Sequence, residues 1–188
     1  MALYFVERTY AIFTSQDLLH WELLQKFDLP GDDECPDLYP LTADDGRTLW
    51  VYSGAHDMYF VGDFDENGLY QPIQSVGQLS YNSQSYAAQT YYYEPGKPVI
   101  RFAWNRSDIP GAPFNGSMCT PTEMTLKKHG DRYYLSALPI KSTENLVVKS
   151  DKLDDFTLTH CTHELGSKTC RISFTVKEGD LTCKLVRP

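Results

Sequence analysis

Short apolar segments, separated by polar turns rich in glycine, aspartate and proline, run along nearly the whole chain. Alternation of apolar and polar residues over about five to seven positions is the pattern of β-strands rather than of helices. Asp17–His20 is the only segment expected to form a helical turn, and it is short. The pattern therefore predicts an all-β protein.

Most of the predicted strands fall into two consecutive sets of four, after two earlier strands at Thr9–Thr14 and Trp21–Phe27. The first set comprises Leu38–Thr42, Thr48–Ser53, Met58–Phe64 and Leu69–Ile73, and the second comprises Ala87–Tyr93, Val99–Trp104, Met124–Lys128 and Tyr133–Leu138. Each set spans roughly 35 to 50 residues, which is the size of a four-stranded propeller blade. Because spacing alone does not separate a propeller from a β-sandwich, both architectures stay open at this point.

The character of the sequence changes after Pro139. Lys141–Thr159 is more polar and charged, which is typical of a segment that crosses between two parts of a structure. Strict alternation then returns in Cys170–Val176 and Leu181–Val186, which predicts an antiparallel hairpin. Since two strands alone are marginally stable in water, we expect this hairpin to begin a second sheet.

The composition is that of a globular protein, with 41% hydrophobic and 13% aromatic residues among 188. The net charge of −8 and the absence of any extended Lys/Arg cluster argue against nucleic-acid binding. No apolar run approaches the roughly 18 residues of a transmembrane helix, and no signal-peptide pattern is visible, so no membrane partner is predicted. The compartment stays open between the cytoplasm and a secreted parent protein.

The cysteine pattern predicts neither a disulfide framework nor a metal site. The number is odd and the spacings are irregular: Cys35, Cys119, Cys161, Cys170 and Cys183. The segment His160–His163, with Cys170 downstream, faintly resembles a metal-binding pattern, but no CxxC pair supports it. Partly buried thiols at a strand end are the favoured interpretation, and no cofactor is predicted.

Glu34 stands in the most informative stretch of the chain. It is followed by Cys35, by the backbone-stiffening Pro36 and by the start of an apolar strand. A carboxyl group delivered in this way could protonate a leaving-group oxygen and later accept a proton from water. Glycosidic cleavage usually needs two carboxylates, however, and only Glu34 has such a setting. On these residues alone, an acidic surface loop over residues 32–34 is the better explanation.

An ordered series of motifs changes that balance. The motifs are Thr14–Trp21, Glu34–Leu38, Tyr86–Thr90, Val99–Trp104 and Gly116–Leu126. Their order and spacing over roughly residues 10–140 resemble the glycoside hydrolases of family 32, which include invertases, levanases, inulinases and sucrose-6-phosphate hydrolases. No motif is decisive by itself, but the ordered series is fairly specific.

The resemblance implies a five-bladed β-propeller followed by a β-sandwich, and hydrolysis that retains anomeric configuration. It also implies that Glu34, in its Glu-Cys pair, is the acid/base. The family's nucleophile lies in a Trp-Met-Asn-Asp-Pro-like motif, and a further aspartate that stabilises the transition state lies in an Arg-Asp-Pro motif. Neither motif occurs in these 188 residues. We therefore expect a chain that begins inside the third blade and ends early in the sandwich.

The implied domains are a partial propeller of about two and a half blades over residues 1–139, then a linker and the first sandwich strands over residues 140–188. Such a partial propeller leaves two blade faces open. We therefore expect either a homo-oligomer or pairing with a missing N-terminal propeller half.

Two more residues are candidates for substrate contact. Cys35 either lines the sugar pocket or is a small buried side chain at a strand start. Trp104 either offers its aromatic face to a sugar or is a core tryptophan at a strand end. His56 is expected to be exposed without a partner, and Asp57 is expected to have a turn or rim role.

The sequence departs from the family at two places near these residues. Gln84-Ser85 stands where the family often has an aspartate, and Thr122 replaces the arginine of a Pro-Arg-Glu motif. These departures put the substrate contacts around the acid/base in question.

Two classes of function follow. The first is a piece of a retaining glycosidase that acts on β-fructofuranosides such as sucrose, levan or inulin, with a carbohydrate as its ligand. Alternatively, the chain is a non-catalytic propeller module that binds carbohydrate or associates with another chain. The absence of a nucleophile motif favours the second class, and the resemblance favours the first.

Overall fold

The computed structural model describes residues 2–6, 9–81, 83–91, 96–108 and 110–150, together with positions 152, 172, 173, 175, 177 and 179. These residues contain thirteen strands and a short 3₁₀ helix over Lys141–Leu146. The strands are β1 (Ala2–Val6), β2 (Thr9–Thr14), β3 (Glu22–Phe27), β4 (Asp37–Thr42), β5 (Thr48–Ser53), β6 (Met58–Phe64), β7 (Tyr70–Pro72), β8 (Gly77–Gln78), β9 (Ser85–Tyr91), β10 (Val99–Asn105), β11 (Ser117–Met118), β12 (Thr122–His129) and β13 (Arg132–Pro139). The all-β prediction is confirmed.

The strands form three antiparallel sheets. The first contains β1, β2 and β3; the second has the order β4-β5-β6-β7, with β8 also pairing with β6. The third has the order β11-β10-β12-β13, with β9 pairing with β10. The second and third sheets contain the two predicted sets of four strands, and the first supplies part of another blade. The partial-propeller prediction is therefore confirmed, with β8 and β11 as additional short strands.

The second sheet lies between the other two and is buried on both faces. Leu49 and Val51 of β5 face a core that includes Leu126 and Leu135 of the third sheet. Tyr52, on the opposite face of the same strand, packs with Tyr10 of the first sheet. Burial on both faces explains why β5 has almost no polar residue after Thr48.

Asp17–His20 forms a bend and not the predicted helical turn. The Asp17 carboxylate accepts hydrogen bonds from the backbone N–H groups of Leu19 and His20, each at 2.8 Å. Leu18 lies in the left-handed region with φ of 64°, which a continuing right-handed turn does not allow. Local side-chain acceptors therefore compete with helix formation here.

The chain divides into two compact units, Met1–Val148 and Lys149–Pro188. The predicted hairpin of Cys170–Val176 and Leu181–Val186 falls largely outside the described residues, and so does the segment His160–His163. The domain boundary at residue 139 stays a prediction. Among the residues that the structure describes, no helix has the length and apolar character needed to cross a bilayer.

Candidate active site

Glu34 lies three residues before β4, the first strand of the second sheet. Its carbonyl oxygen accepts hydrogen bonds from the Tyr10 hydroxyl at 2.8 Å and from the Ala55 backbone N–H at 2.9 Å. These contacts fix the backbone to the first sheet and to the β5–β6 loop. The side chain of Glu34 is exposed, so its carboxyl group can meet a ligand.

Tyr86, near the start of β9, donates a hydrogen bond from its hydroxyl to Oε2 of Glu34. This hydrogen bond is the main reason that the pKa of Tyr86 is raised to about 12. Ionising the phenol would remove the donor and place a second negative charge beside the carboxylate. The pair therefore joins a carboxyl group from the second sheet to a phenol from the third.

Strands β4 and β9, the first strands of their sheets, lie side by side around this pair. The Thr90 backbone N–H donates to Oδ2 of Asp37 at 2.6 Å, and Gln89 Nε2 donates to the Cys35 carbonyl oxygen at 3.2 Å. The first strands of neighbouring propeller blades meet around the central channel. An acid/base in a propeller is expected to face the central channel, and such a position of Glu34 requires this contact.

Trp104 is not a core tryptophan, because it is 46% exposed. Its ring lies edge-on to that of Tyr86, with ring centres 6.3 Å apart. A glycine at position 116 makes room for the indole, since a Cβ there would lie 2.5 Å from Trp104 Nε1. Trp104 thus presents an aromatic surface next to the Glu34–Tyr86 pair, and its contact with a sugar stays a prediction.

Cys35 is half-buried and lies directly after Glu34 with a φ of 47°. Burial, followed by the neighbouring Glu34 charge, raises the pKa of its thiol, which disfavours the reactive thiolate. Its predicted contact with a sugar also stays a prediction.

The expectation that His56 has no partner is wrong. Its backbone N–H donates to Oδ2 of Asp32 at 2.7 Å, and its Nδ1 lies 3.1 Å from Oδ1 of the same carboxylate. The imidazole also meets the ring of Tyr86 edge-to-face, with ring centres 4.9 Å apart. The sequence did not reveal this contact, because His56 lies in the β5–β6 loop and Tyr86 lies in β9 of another sheet.

Asp57 does occupy a turn, but it is buried and not at a rim. Its Oδ1 lies 2.5 Å from Nη2 of Arg101, and Nη2 also donates to the Ser85 hydroxyl at 2.9 Å. Burial raises the pKa of the Asp57 carboxyl, and the Arg101 charge opposes that rise. The second and third sheets are therefore joined by a buried ion pair.

Three carboxylates that lie near Glu34, in sequence or in space, are already engaged in hydrogen bonds or ion pairs. Asp32 accepts from His56, Asp37 accepts from Thr90, and Asp57 is paired with Arg101. None of these three has the free, ligand-facing position that a second catalytic carboxylate needs.

Asp32, Asp33 and His56 are also the one group of described residues close enough together to hold a metal ion. Both oxygens of Asp32 already accept hydrogen bonds from His56, and the Asp32 side chain has no exposed surface. The cluster is therefore explained by its internal hydrogen bonds.

Consecutive antiparallel sheets that pack face to face are the arrangement of β-propeller blades, and the exposed Glu34 carboxyl beside β4 and β9 is a candidate acid/base. The N-terminal domain of the glycosyl hydrolases of family 32 matches residues 6–137. The chain therefore belongs to glycoside hydrolase family 32, as its motifs predict.

Curated relatives have names that describe fructan-cleaving enzymes. A fructan beta-fructosidase of Streptococcus mutans is 28% identical over 162 residues, which cover 72% of this chain and 11% of that protein. A levanbiose-producing levanase of Bacillus subtilis is 26% identical over 184 residues, covering 86% of this chain and 34% of the relative. The chain thus spans about a third or less of these two relatives.

Solved structures give the same assignment. The exo-inulinase of Aspergillus awamori superposes with a TM-score of 0.60 at 26% identity, covering 70% of this chain and 31% of the inulinase. A fructofuranosidase of Schwanniomyces occidentalis, with a TM-score of 0.56 and 24% identity, supports the fold alone.

Proposed function

We propose that this chain supplies the acid/base half of an active site that hydrolyses β-fructofuranosides with retention of configuration. The hydrogen bond between Tyr86 and Glu34 is the observation that carries the proposal. It holds one oxygen of an exposed carboxyl group and leaves the other for a ligand. Family membership supplies the reaction class.

In the proposed reaction, Glu34 in its protonated form donates a proton to the leaving-group oxygen. The resulting carboxylate then takes a proton from the water that releases the sugar. Tyr86 orients the carboxyl group by donating to Oε2 in both steps. Trp104 covers the apolar C–H face of the sugar with its exposed ring.

The nucleophile of this reaction is proposed to lie outside these 188 residues, which contain neither an Asn-Asp-Pro nor an Arg-Asp-Pro motif. We assign residues 1–139 to the propeller and residues 140–188 to a linker and the first strands of a sandwich. Sucrose, levan and inulin are the proposed substrates, because the relatives include a levanase and an exo-inulinase.

A non-catalytic module that binds carbohydrate or self-associates is the second candidate. The occupied carboxylates Asp32, Asp37 and Asp57 favour it, since none of them can replace the missing nucleophile.

The DNA sequence upstream of the codon for Met1 separates the two candidates. We expect a continuous frame that encodes both aspartate motifs. In the longer polypeptide, Glu34→Gln should lower the rate of sucrose hydrolysis on the order of 10³-fold. The same variant should leave the rate of the first chemical step unchanged on an aryl fructoside, because the leaving group of that substrate needs no proton.

Glu66→Gln is the control for that experiment, because it removes an exposed turn carboxylate far from Tyr86 in sequence. An upstream frame without either motif would establish the non-catalytic candidate. Equal rates of sucrose hydrolysis in the parent and in Glu34→Gln would exclude the acid/base role.

Association is expected for the chain alone. The third sheet exposes large apolar side chains on the face opposite its core, including Tyr91, Tyr134 and Leu138. Light scattering on dilute protein should show a dimer or a higher oligomer. A double variant in which lysine replaces both Tyr134 and Leu138 should show a lower molar mass in solution. Phe114→Lys, which removes an exposed apolar side chain from a loop, is the control. A stable monomer with cooperative thermal unfolding would contradict the open-face account.

A further inference from the structure

The loop Gly54–Asp57, between β5 and β6, contacts both halves of the Glu34–Tyr86 pair. The Ala55 backbone N–H donates to the Glu34 carbonyl, and the Ala55 carbonyl accepts from the Ala87 N–H, each at 2.9 Å. Gly54 has no room for a side chain, since a Cβ there would lie 2.4 Å from Cγ of Asp32. One short loop therefore fixes the backbone next to both members of the pair.

The last two residues of this loop, His56 and Asp57, are held through buried carboxylates. Asp32, whose side chain has no exposed surface, binds both the backbone N–H and the ring Nδ1 of His56. Asp57 pairs with Arg101, which also binds Ser85, the residue before Tyr86. The imidazole of His56 is thus fixed in orientation where it meets the Tyr86 ring.

The backbone is strained at the three residues that directly follow Glu34, His56 and Tyr86. Cys35, Asp57 and Ala87 have φ values of 47°, 63° and 51°, in the region that favours glycine. Such conformations are energetically unfavourable for non-glycine residues and cluster where a structure holds functional groups in place. The coincidence indicates that the fold holds Glu34, His56 and Tyr86 in fixed positions relative to one another.

We propose that His56, oriented by Asp32, is a positioning residue that holds the Tyr86 ring so that its hydroxyl stays on Oε2 of Glu34. Arg106 completes the support, with its guanidinium carbon 4.2 Å from the centre of the Tyr86 ring and Nη2 bound to the Ser83 carbonyl at 2.7 Å. His56 acts on the carboxyl group through Tyr86. The inference rests on the proposed acid/base role of Glu34, but the geometry it concerns exists in the chain alone.

The pKa of Tyr86 measures this arrangement, because the hydrogen bond to Glu34 is the largest of the causes that raise it. We would label the tyrosine ring Cζ with ¹³C, assign the Tyr86 signal with Tyr86→Phe, and titrate the full chain with alkali. His56→Ala should lower the pKa of Tyr86 from about 12 toward 10.0. At about pH 11 the ionised fraction of Tyr86 should then rise several-fold.

Two further variants separate positioning from general damage. His56→Phe keeps an aromatic ring against Tyr86 and should restore at least half of the shift. His129→Ala removes a histidine that meets Tyr134 edge-to-face, with ring centres 6.4 Å apart, and should leave Tyr86 unchanged. Thermal unfolding of each variant is measured in parallel.

An unchanged pKa of Tyr86 in His56→Ala would overturn the proposal. Equal falls in His56→Ala and His56→Phe, with a lower melting temperature in both, would assign the effect to loss of fold and would also overturn it. Because the readout is not hydrolysis, a His56-dependent pKa would stand even if the catalytic proposal failed. Conversely, if Glu34 is catalytic but the pKa of Tyr86 does not change in His56→Ala, only the positioning role of His56 is disproved.

Discussion

Purified by itself, the 188-residue chain is expected to hydrolyse sucrose, inulin and levan on the order of 10³-fold or more below ordinary enzyme rates. A retaining mechanism needs a carboxylate that forms the covalent intermediate. The nearby candidates Asp32, Asp37 and Asp57 are engaged with His56, Thr90 and Arg101. Loss of one member of a catalytic unit costs on the order of 10³-fold or more.

A reducing-sugar assay checks this expectation, with cooperative unfolding as the evidence that the preparation is folded. The Glu34→Gln variant is assayed beside the parent chain. Asp33→Asn, which removes the carboxylate next to Glu34 in the sequence, is assayed as the comparison. Turnover at ordinary enzyme rates that disappears in Glu34→Gln would show that another carboxylate of this chain completes the pair.

Arg101→Leu is expected to lower the free energy of unfolding by about 3–5 kcal/mol, because it leaves Asp57 buried without its cation. Asp57 and Arg101 are 4% and 8% exposed. The ion pair joins the β5–β6 loop of the second sheet to β10 of the third. Urea unfolding gives the free energy, and Lys128→Met is the matched control. Lys128 pairs with Asp45 at 3.2 Å near the surface, so its loss should change stability little.

The pH dependence of the variant has a definite sign. Burial already raises the pKa of Asp57, and removing Arg101 takes away the charge that opposes this rise. A carboxyl group whose pKa is higher in the folded state binds more protons there than in the unfolded state. Stability is therefore lost as pH rises through that folded-state pKa and regained as it falls. The deficit of Arg101→Leu should shrink between about pH 7 and about pH 4. A deficit under about 1 kcal/mol, or one independent of pH, would contradict this account.

The strands were predictable because each one is encoded locally. Val51 and Tyr52 alternate between two cores, and turns such as Asp65–Gly68 carry the expected residues. The failure at Asp17–His20 is also local in origin. The Asp17 carboxylate accepts hydrogen bonds from the backbone N–H groups that a helical turn would pair with backbone carbonyl oxygens.

The site was predictable only in part. Glu34 and Trp104 are candidates because each lies in one of the motifs whose ordered series resembles family 32. Tyr86 lies in a recognised motif, yet nothing local says that its hydroxyl reaches a residue 52 positions away. Asp57 and Arg101 are 44 positions apart and meet only because two blades pack together. Contacts between blades depend on sheet packing, which periodicity along one strand does not contain.

The most direct test of the acid/base site is the titration of Tyr86 in the parent chain and in Glu34→Gln, with ¹³C-labelled tyrosine. If the Glu34 carboxylate accepts the Tyr86 hydroxyl, the pKa of Tyr86 is about 12 in the parent and falls toward 10.0 in the variant. Burial raises the pKa values of Tyr10, Tyr39, Tyr52 and Tyr70 still further, so their signals do not interfere. Glu66→Gln, which removes an exposed carboxylate from a turn, should leave Tyr86 unchanged. A Tyr86 that titrates near 10.0 in both the parent and Glu34→Gln would contradict the account.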